Sequence, residues 1–275
     1  MGINWHQWSA YLFHVSTRYF VFAGLAFTIF YILFPRQFAR IRIQKLFPKN
    51  KDYFRDVLYS LLTMSIFSSM AYWVFVTLKD QNHIYYNSAW EYGKLWYALS
   101  YVWLFFLHDA YFYWIHRLMH LPWFFKRVHL VHHLSTNPSP WTAYAFHPFE
   151  AILEACFLLV AAFTLPVHKS TFGLFMLFQI VYNVYGHLGY ELYPAQLVKT
   201  RIGRWINTGV AHNQHHKYFK GNYGLYTLIW DRMLGTLRTD YETNFLEVKR
   251  KKAADHATVE TEIQVMPISN SPSLP

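Results

Sequence analysis

Histidines in three short stretches have the spacing of metal ligands. The stretch HRLMH contains His116 and His120. A separation of four residues brings two side chains onto the same face of a helix, about one turn apart. Imidazole nitrogen is a common ligand for zinc, iron, copper and nickel. The pair therefore predicts part of a metal site at the end of a helix.

Two further stretches share the pattern H-x-x-H-H: HLVHH at residues 129–133 and HNQHH at residues 212–216. In a helix, the first histidine of such a stretch aligns with both later ones, so each triplet can bind one ion or bridge toward two. His187 adds a further imidazole. Eight or nine histidines exceed one coordination sphere, so the sequence predicts two ions.

The chemistry of the ions is narrowed by what the chain lacks. No H-E-x-x-H motif is present, so a zinc protease would have no general base. A pair of histidine-ligated ions beside a membrane favours di-iron oxygen chemistry as a hypothesis. Isolated histidines are predicted to be structural, and these are His6, His14, His83, His168 and His256.

The composition of the 275 residues indicates a membrane protein. Hydrophobic residues make up 54% and charged residues only 15%, against about 25% charged in typical soluble domains. The net charge is +10, but the basic residues lie in loops between apolar runs, which argues against nucleic-acid binding. Cys156 is the only cysteine, so an intramolecular disulfide is impossible and a packing role is expected.

Five apolar runs must position the histidines, at residues 19–34, 57–78, 95–115, 151–167 and 171–190. A run of about 20 residues can cross a hydrocarbon core of about 30 Å as a helix. The first run resembles an anchoring helix rather than a cleavable signal peptide. The last two, joined by the short stretch HKS, predict a helical hairpin. We therefore expect an all-α, multi-pass membrane bundle of four to five apolar helices.

The domain organisation follows from these runs. We expect an N-terminal segment at 1–18, transmembrane helices at 19–94, a catalytic domain at 95–240 and a disordered tail at 241–275. If the basic loop at 35–56 is cytoplasmic, alternating crossings leave four of the 25 Lys and Arg residues on the outside. The same assignment places the histidine motifs together in a cytoplasmic helical cap.

Four stretches carry a resemblance to a known family: HDAYFYWIHRLMH, KRVHLVHHLSTNPSPWTAYAFHPFEAILE, NVYGHLGYELYP and HNQHHKYFKGNYGLYTLIWDRMLGT. Their order and spacing over residues 95–240 resemble the fatty acid hydroxylase/sterol desaturase superfamily of integral-membrane non-haem di-iron enzymes. The resemblance implies O2-dependent hydroxylation or desaturation of a lipid C–H bond. The iron ligands that it implies are His116, His120, His129, His132, His133, His187, His212, His215 and His216.

Four other residues are candidates for supporting the site. Some relatives carry a histidine where this chain has Glu191, which could bind iron, orient a ligand or face water. Asp109 is predicted to accept the second N–H of a metal-bound histidine. His108 could be a further ligand, although a position beside the metal-bound histidines is favoured. His147 is expected to support the site or to cap the return to the membrane.

A lipid drawn from the bilayer is the expected substrate. No nucleotide-binding glycine motif is present, so the resemblance implies an external electron donor, either a cytochrome b5-like protein or a ferredoxin with its reductase. The expected location is the endoplasmic reticulum or a bacterial cytoplasmic membrane. Two alternatives stay open: a membrane metal transporter, which would need ligands along a path through the helices, and a zinc-dependent membrane hydrolase.

Overall fold

The structure is a computed structural model and describes residues 2–250. Helices dominate these residues, and one pair of two-residue strands joins them. The α-helices are α1 Trp5–Phe27, α2 Asn50–Tyr72, α3 Lys94–Met119, α4 Pro122–Phe124, α5 Leu130–His133, α6 Pro148–Thr164, α7 Lys169–Gly186, α8 Gly209–Tyr218 and α9 Ile229–Met233. The strands are β1 Ile84–Tyr85 and β2 Val167–His168.

The first two long helices each begin with a polar cap and end in a π-helical turn. The side chain of Asn4 accepts a hydrogen bond from the Gln7 N–H at 3.2 Å, which fixes the start of α1. With their π-helical turns, the helices Trp5–Leu33 and Asn50–Thr77 are long and apolar enough to cross a membrane. The predicted boundary at residue 18 is therefore wrong, because it lies inside one continuous helix.

The three other long helices are α3, α6 and α7. The fourth and fifth apolar runs form α6 and α7, which are joined through β2, and β2 pairs in parallel with β1. That the two helices form a hairpin stays a prediction. His168 caps α7 by accepting a hydrogen bond from the Ser170 N–H at 3.2 Å, as expected for a structural histidine. That α3, α6 and α7 also cross the bilayer stays a prediction.

The long helices pack side by side around a shared apolar core. Helix α1 packs on α2 and α7, while α3 packs on α6 and α7. Tyr19 of α1 is fully buried, and its ring stacks on Tyr144 with the ring centroids 5.3 Å apart. Large apolar side chains also face outward, including Phe13, Leu99 and Leu174. An apolar exterior is what a lipid environment favours.

The chain beyond α7, residues 187–250, includes the short helices α8 and α9, and we call it the cap. Helix α8 packs its Val210 and Ala211 against a helical segment at residues 241–250. Tyr241, Phe245 and Val248 recur at helical spacing and are buried in this contact. The prediction of disorder from residue 241 is therefore wrong for residues 241–250, and residues 251–275 lie outside the described part of the chain.

Candidate metal centre

The structure brings together all nine histidines that the sequence singles out. They form two buried groups, and within each group the ligand atoms lie within 4.8 Å of one another. The five-histidine group consists of His116, His120, His129, His133 and His215. The four-histidine group consists of His132, His187, His212 and His216.

Each H-x-x-H-H stretch serves both groups. The outer pair of the first stretch, His129 and His133, belongs to the five-histidine group, while His132 belongs to the other. The second stretch does the reverse, because His212 and His216 lie in the four-histidine group and His215 in the other. An i, i+4 pair therefore faces one group, and the intervening i+3 residue faces its neighbour.

Within each group the ring nitrogens converge at nearly uniform separations. Two nitrogens bound at about 2.1 Å to one ion lie about 3.0–3.4 Å apart for bond angles from about 90° to about 109°. In the five-histidine group, the Nε2–Nε2 distances are 3.1 Å for His116–His129, 3.1 Å for His129–His133, 3.2 Å for His133–His120 and 3.1 Å for His120–His215. In the four-histidine group they are 3.2 Å for His132–His187 and 3.0 Å for His187–His212.

Backbone features set the approach of these rings. A π-helical turn at Phe125–His129 leads directly into α5 and so offsets His129 from the two later histidines of its stretch. Helix α8 is capped at its start by the Thr208 side chain. At the end of α7, a Cβ built on Gly186 would lie 3.4 Å from the ring of His212, so glycine permits this close crossing.

The far side of several rings is held by a hydrogen bond. In the five-histidine group, Nδ1 of His116 donates to the Tyr223 carbonyl at 2.8 Å and Nδ1 of His215 to the Gly221 carbonyl at 2.8 Å. His129 Nδ1 lies 2.8 Å from the carboxylate of Glu150. These partners fix the ring orientation and direct Nε2 into the group.

The four-histidine group has fewer such partners. Nδ1 of His187 donates to the Asn183 carbonyl at 2.8 Å, and Nδ1 of His216 to the Ser135 carbonyl at 3.0 Å. The Nδ1 atoms of His132 and His212 are buried without a hydrogen-bond partner among the described residues, and so is Nδ1 of His133 in the other group.

The protonation and spacing of the histidine nitrogens fit a bound metal ion. A carbonyl can only accept a hydrogen bond, so the rings bonded to carbonyls carry their proton on Nδ1 and present a lone pair at Nε2. The Nε2 atoms of His116, His215 and His187 each lie about 3 Å from the Nε2 atom of a neighbouring histidine, which is the separation of two nitrogen ligands on one cation. Nε2 of His216 is buried without a partner among residues 2–250.

The protonation state of the clustered histidines agrees with metal ligation. Burial, followed by the repulsion of neighbouring imidazoles, holds the pKa of six of them well below the ordinary value of 6.5. These are His129, His132, His133, His212, His215 and His216. Neutral imidazole is the form that binds metal.

The carboxylate beside a histidine is not the one that the sequence suggests. Asp109 accepts hydrogen bonds from the backbone N–H groups of Tyr226 and Thr227, at 3.0 and 3.1 Å, and from the Thr227 hydroxyl. Its carboxylate thus fixes the cap onto α3, and Glu150 takes the place expected for it. Sequence reasoning missed Glu150, although an acidic residue in the first turn of a helix leaving the polar cap is a usable signal.

The three other expected supporting residues lie outside both groups. Glu191 accepts hydrogen bonds from the Tyr185 hydroxyl and the Val210 N–H, both at 2.9 Å, and so fixes the start of α8. Burial raises the pKa of Glu191 and these bonds oppose the rise. His147 caps α6, and His108 lies among aromatic rings of the bundle.

A largely apolar cavity lies next to both groups. It is enclosed by α1, α2, α3, α6 and α7 and has an empty volume of about 750 Å³, including its open mouth. Two residues of its wall contact histidines. The ring centroids of Phe112 and His116 are 4.9 Å apart, and those of Phe146 and His132 are 5.1 Å apart. One aromatic ring of the cavity wall therefore contacts each histidine group.

Fold and site together define a class: a helical protein with membrane-type helices that converge on two buried clusters of histidine. A family model described as fatty acid hydroxylase matches residues 101–236, about half of the chain. The chain belongs to the fatty acid hydroxylase/sterol desaturase superfamily.

Several curated proteins are similar to parts of the chain. Lathosterol oxidase from Homo sapiens is 31% identical over 147 residues, which is 54% of this chain and 48% of that protein. A Delta(7)-sterol 5(6)-desaturase from Leptosphaeria maculans is 32% identical over 130 residues, or 47% of this chain and 34% of that protein. A second Delta(7)-sterol 5(6)-desaturase, from Gibberella zeae, is 28% identical over 219 residues, which is 80% of this chain and 65% of that protein.

The chain thus spans between about a third and about two thirds of the length of these relatives. No solved structure matches the chain.

Proposed function

We propose that this protein is a membrane-bound oxidoreductase that uses two iron ions and O2 to hydroxylate or desaturate a C–H bond of a lipid. The observation that carries the proposal is the division of nine histidines, eight of them buried, into two groups whose Nε2 atoms converge. Two adjacent all-nitrogen sites suit a pair of transition-metal ions. A metal transporter would instead need ligands along a path, whereas these lie at one end of the bundle.

The nine histidines would hold the ions, with five ligands in one group and four in the other. When bound, a pair of iron ions supplies the activation of O2 and the removal of hydrogen from an unactivated carbon. The protein holds the rings in place: Tyr223, Gly221 and Glu150 keep the Nε2 atoms of the five-histidine group directed inward.

The apolar cavity would hold the lipid and exclude water from the reacting carbon. Phe112 and Phe146 line the cavity and also contact histidines of the two groups, so they would separate the lipid from the polar cap. The names of the relatives favour a sterol as the lipid. Hydroxylation and desaturation both begin by removing one hydrogen. The position of the lipid would then decide whether the carbon gains a hydroxyl group or its neighbour loses a second hydrogen.

Electrons would come from a separate protein, either a cytochrome b5-like protein or a ferredoxin with its reductase. The Gly221 segment that covers His215 is flanked by Lys220 and shares a cleft with Arg238. A basic surface favours an acidic donor. We place this surface and the histidine groups on the cytoplasmic side of the membrane, because the loops between the helices on that side carry most of the basic residues.

Metal analysis combined with lipid mass spectrometry tests the proposal. The purified protein should contain two iron ions per chain, and cells that express it should accumulate a lipid that has lost two hydrogens or gained one oxygen. Product formation should stop without O2. Stoichiometric zinc with full activity under anaerobic conditions would refute the proposal in favour of a hydrolase.

A further inference from the structure

Three polar side chains line the apolar cavity without a hydrogen-bond partner. His108 is only 3% exposed, and it forms no hydrogen bond to any residue from 2 to 250; its Nδ1 is fully buried. The Oε1 atom of Gln179 is buried and likewise unpartnered. The Glu154 carboxylate lines the same cavity and forms neither a hydrogen bond nor an ion pair within the described part of the chain.

The helix positions of these side chains relate them to the histidine groups. Each lies on a helix that also carries a residue of a histidine group or a hydrogen-bond partner of one. On α3, His108 precedes His116 by eight residues, or about 12 Å at a rise of 1.5 Å per residue. On α6, Glu154 follows Glu150 by four residues, or about 6 Å.

The third helix repeats the arrangement. On α7, Gln179 precedes Asn183 by four residues, or about 6 Å, and it is the Asn183 carbonyl that holds His187. Three helices therefore present polar groups to the cavity, about one to two turns from a residue that belongs to or supports a histidine group. The surrounding wall is apolar, with Phe157 and Leu158 from α6 and Phe172 from α7.

A polar group in apolar surroundings is unfavourable unless it is hydrogen-bonded. The aromatic contacts of His108 make this concrete, because its ring centroid lies 4.3 Å from that of Phe157 and 5.6 Å from that of Phe175. No described residue satisfies the three groups. A ligand that enters the cavity is the remaining partner.

The charges in the cavity indicate the chemistry of that ligand. Among the described lining residues, Arg18 is the one cation, and its Nε donates to the His14 carbonyl at 3.3 Å. Arg18 is not within ion-pair distance of Glu154, so a phosphate or a fatty acid carboxylate beside Glu154 would meet an acidic side chain and no paired cation. A hydroxyl group both donates and accepts, so it can bond to the oxygens of Glu154 and Gln179 and to the ring of His108.

We propose that His108, Glu154 and Gln179 form a polar anchor for the hydroxyl group of a lipid alcohol. The hydrocarbon skeleton then fills the cavity from the anchor to the histidine groups. The anchor thereby determines which carbon of the skeleton faces the histidine groups. This inference rests on the proposed function for the identity of the cavity as the substrate site, but lipid binding is measurable without turnover.

The test compares matched pairs of lipids on the full-length, iron-loaded protein. The probes are cholestanol and cholestane, and hexadecanol and hexadecane, with hexadecylamine as the cationic member. Dissociation constants are measured by the quenching of intrinsic tryptophan fluorescence. We expect each alcohol to bind at least about tenfold more tightly than its hydrocarbon, as the hydrogen bonds to buried partners require.

Variants separate a hydrogen-bonding role from a packing role. Glu154→Leu should abolish the preference for the alcohol and leave hydrocarbon binding intact, whereas Glu154→Gln should retain much of the preference. Gln179→Leu should reduce it as well, and it carries the test if Glu154→Leu fails to fold. Cys156→Ala is the matched control, since Cys156 lies on α6 but does not line the cavity.

Equal binding of alcohol and hydrocarbon by the unmodified protein would overturn the anchor, as would equal weakening of both by Glu154→Leu. Tighter binding of the amine than of the alcohol would also overturn it, because Glu154 would then act as a counter-ion. Iron content and product formation are measured on the same samples. An alcohol preference without turnover would refute the proposed function alone, and turnover without the preference would refute the anchor alone.

Discussion

The two histidine groups have related ligands but unequal support. In the five-histidine group, His116, His129 and His215 have a hydrogen-bond partner at Nδ1, and His120 interacts with the Phe219 backbone. In the four-histidine group, only His187 and His216 have such a partner among the described residues. The five-histidine group also contacts a carboxylate, Glu150.

This difference predicts that the two groups bind their ions with unequal affinity. More ligands, more fixed rings and an adjacent carboxyl group should hold an ion more tightly in the five-histidine group. Four ligands with two unsupported rings leave more coordination positions open and more freedom for the rings. We therefore expect the ion of the four-histidine group to be the weaker one and the first to exchange.

The sharpest test of the comparison removes one ligand from each group. His212→Ala leaves three nitrogens in its group and should release that ion, whereas His215→Ala leaves four and should retain most of its iron. Both variants should lose turnover by more than about 100-fold, beyond the effect of losing a supporting residue. Iron per chain, measured by plasma mass spectrometry, separates them, and identical iron loss in the two variants would contradict the unequal support.

Acidification should distinguish the groups next. Six of the nine clustered histidines have a folded-state pKa below the unfolded value of 6.5, because burial disfavours imidazolium. The unfolded chain then binds more protons below pH 6.5, so the stability of the metal-free protein is present above that pH and falls as the pH drops below it.

Each histidine contributes up to about 1.4 kcal/mol per pH unit to this loss. Denaturant titrations of metal-free protein at several pH values measure it, and a stability that stays constant from pH 7 to pH 5 would contradict the prediction. In the iron-loaded protein, we expect two steps of iron release on acidification. Glu150→Ala should merge the steps by weakening the tighter site.

Glu150 should matter less than a ligand but more than Asp109. Glu150→Ala removes the partner of His129 and should weaken iron binding in the five-histidine group by about 10–100-fold. Asp109→Ala should mainly destabilise the contact with Thr227, at a cost of about 1–3 kcal/mol. Iron affinity and thermal unfolding are measured on both, with Glu247→Ala as a surface control.

The smallest effect is expected from Gly186→Ala. The added methyl group would meet the ring of His212 at 3.4 Å, so the four-histidine group should lose iron affinity by only a few-fold. Alanine favours a helix by about 1 kcal/mol over glycine, which offsets part of the packing strain in the free energy of unfolding. An equal change in the five-histidine group would show that the two groups are not independent.

The sequence predicts the histidines well and their supports poorly. Spacing places side chains on helix faces, so the nine histidines could be found as sets. Their sorting into two groups could not, because it depends on how α5 and α8 face each other. The carbonyls of Tyr223 and Asn183 carry no signal in the sequence, since every residue has one.

The same limit explains the errors over Asp109 and the tail. Asp109 has the right charge and helix face, but the chain brings Thr227 to it from 118 residues away. Residues 241–250 precede a polar tail and are amphipathic only over two turns, so composition alone hides the apolar face that packs on α8.

The wide separation of the ligands along the chain has a further consequence. His116 and His215 lie about a hundred residues apart, yet the five-histidine group contains both. An ion shared by them acts as a cross-link that closes a large loop, and a covalent link of that span restricts the unfolded chain by about 4.7 kcal/mol. With a single cysteine, the chain has no internal disulfide to do this. Loading the centre should therefore also be the step that locks the cap onto the bundle.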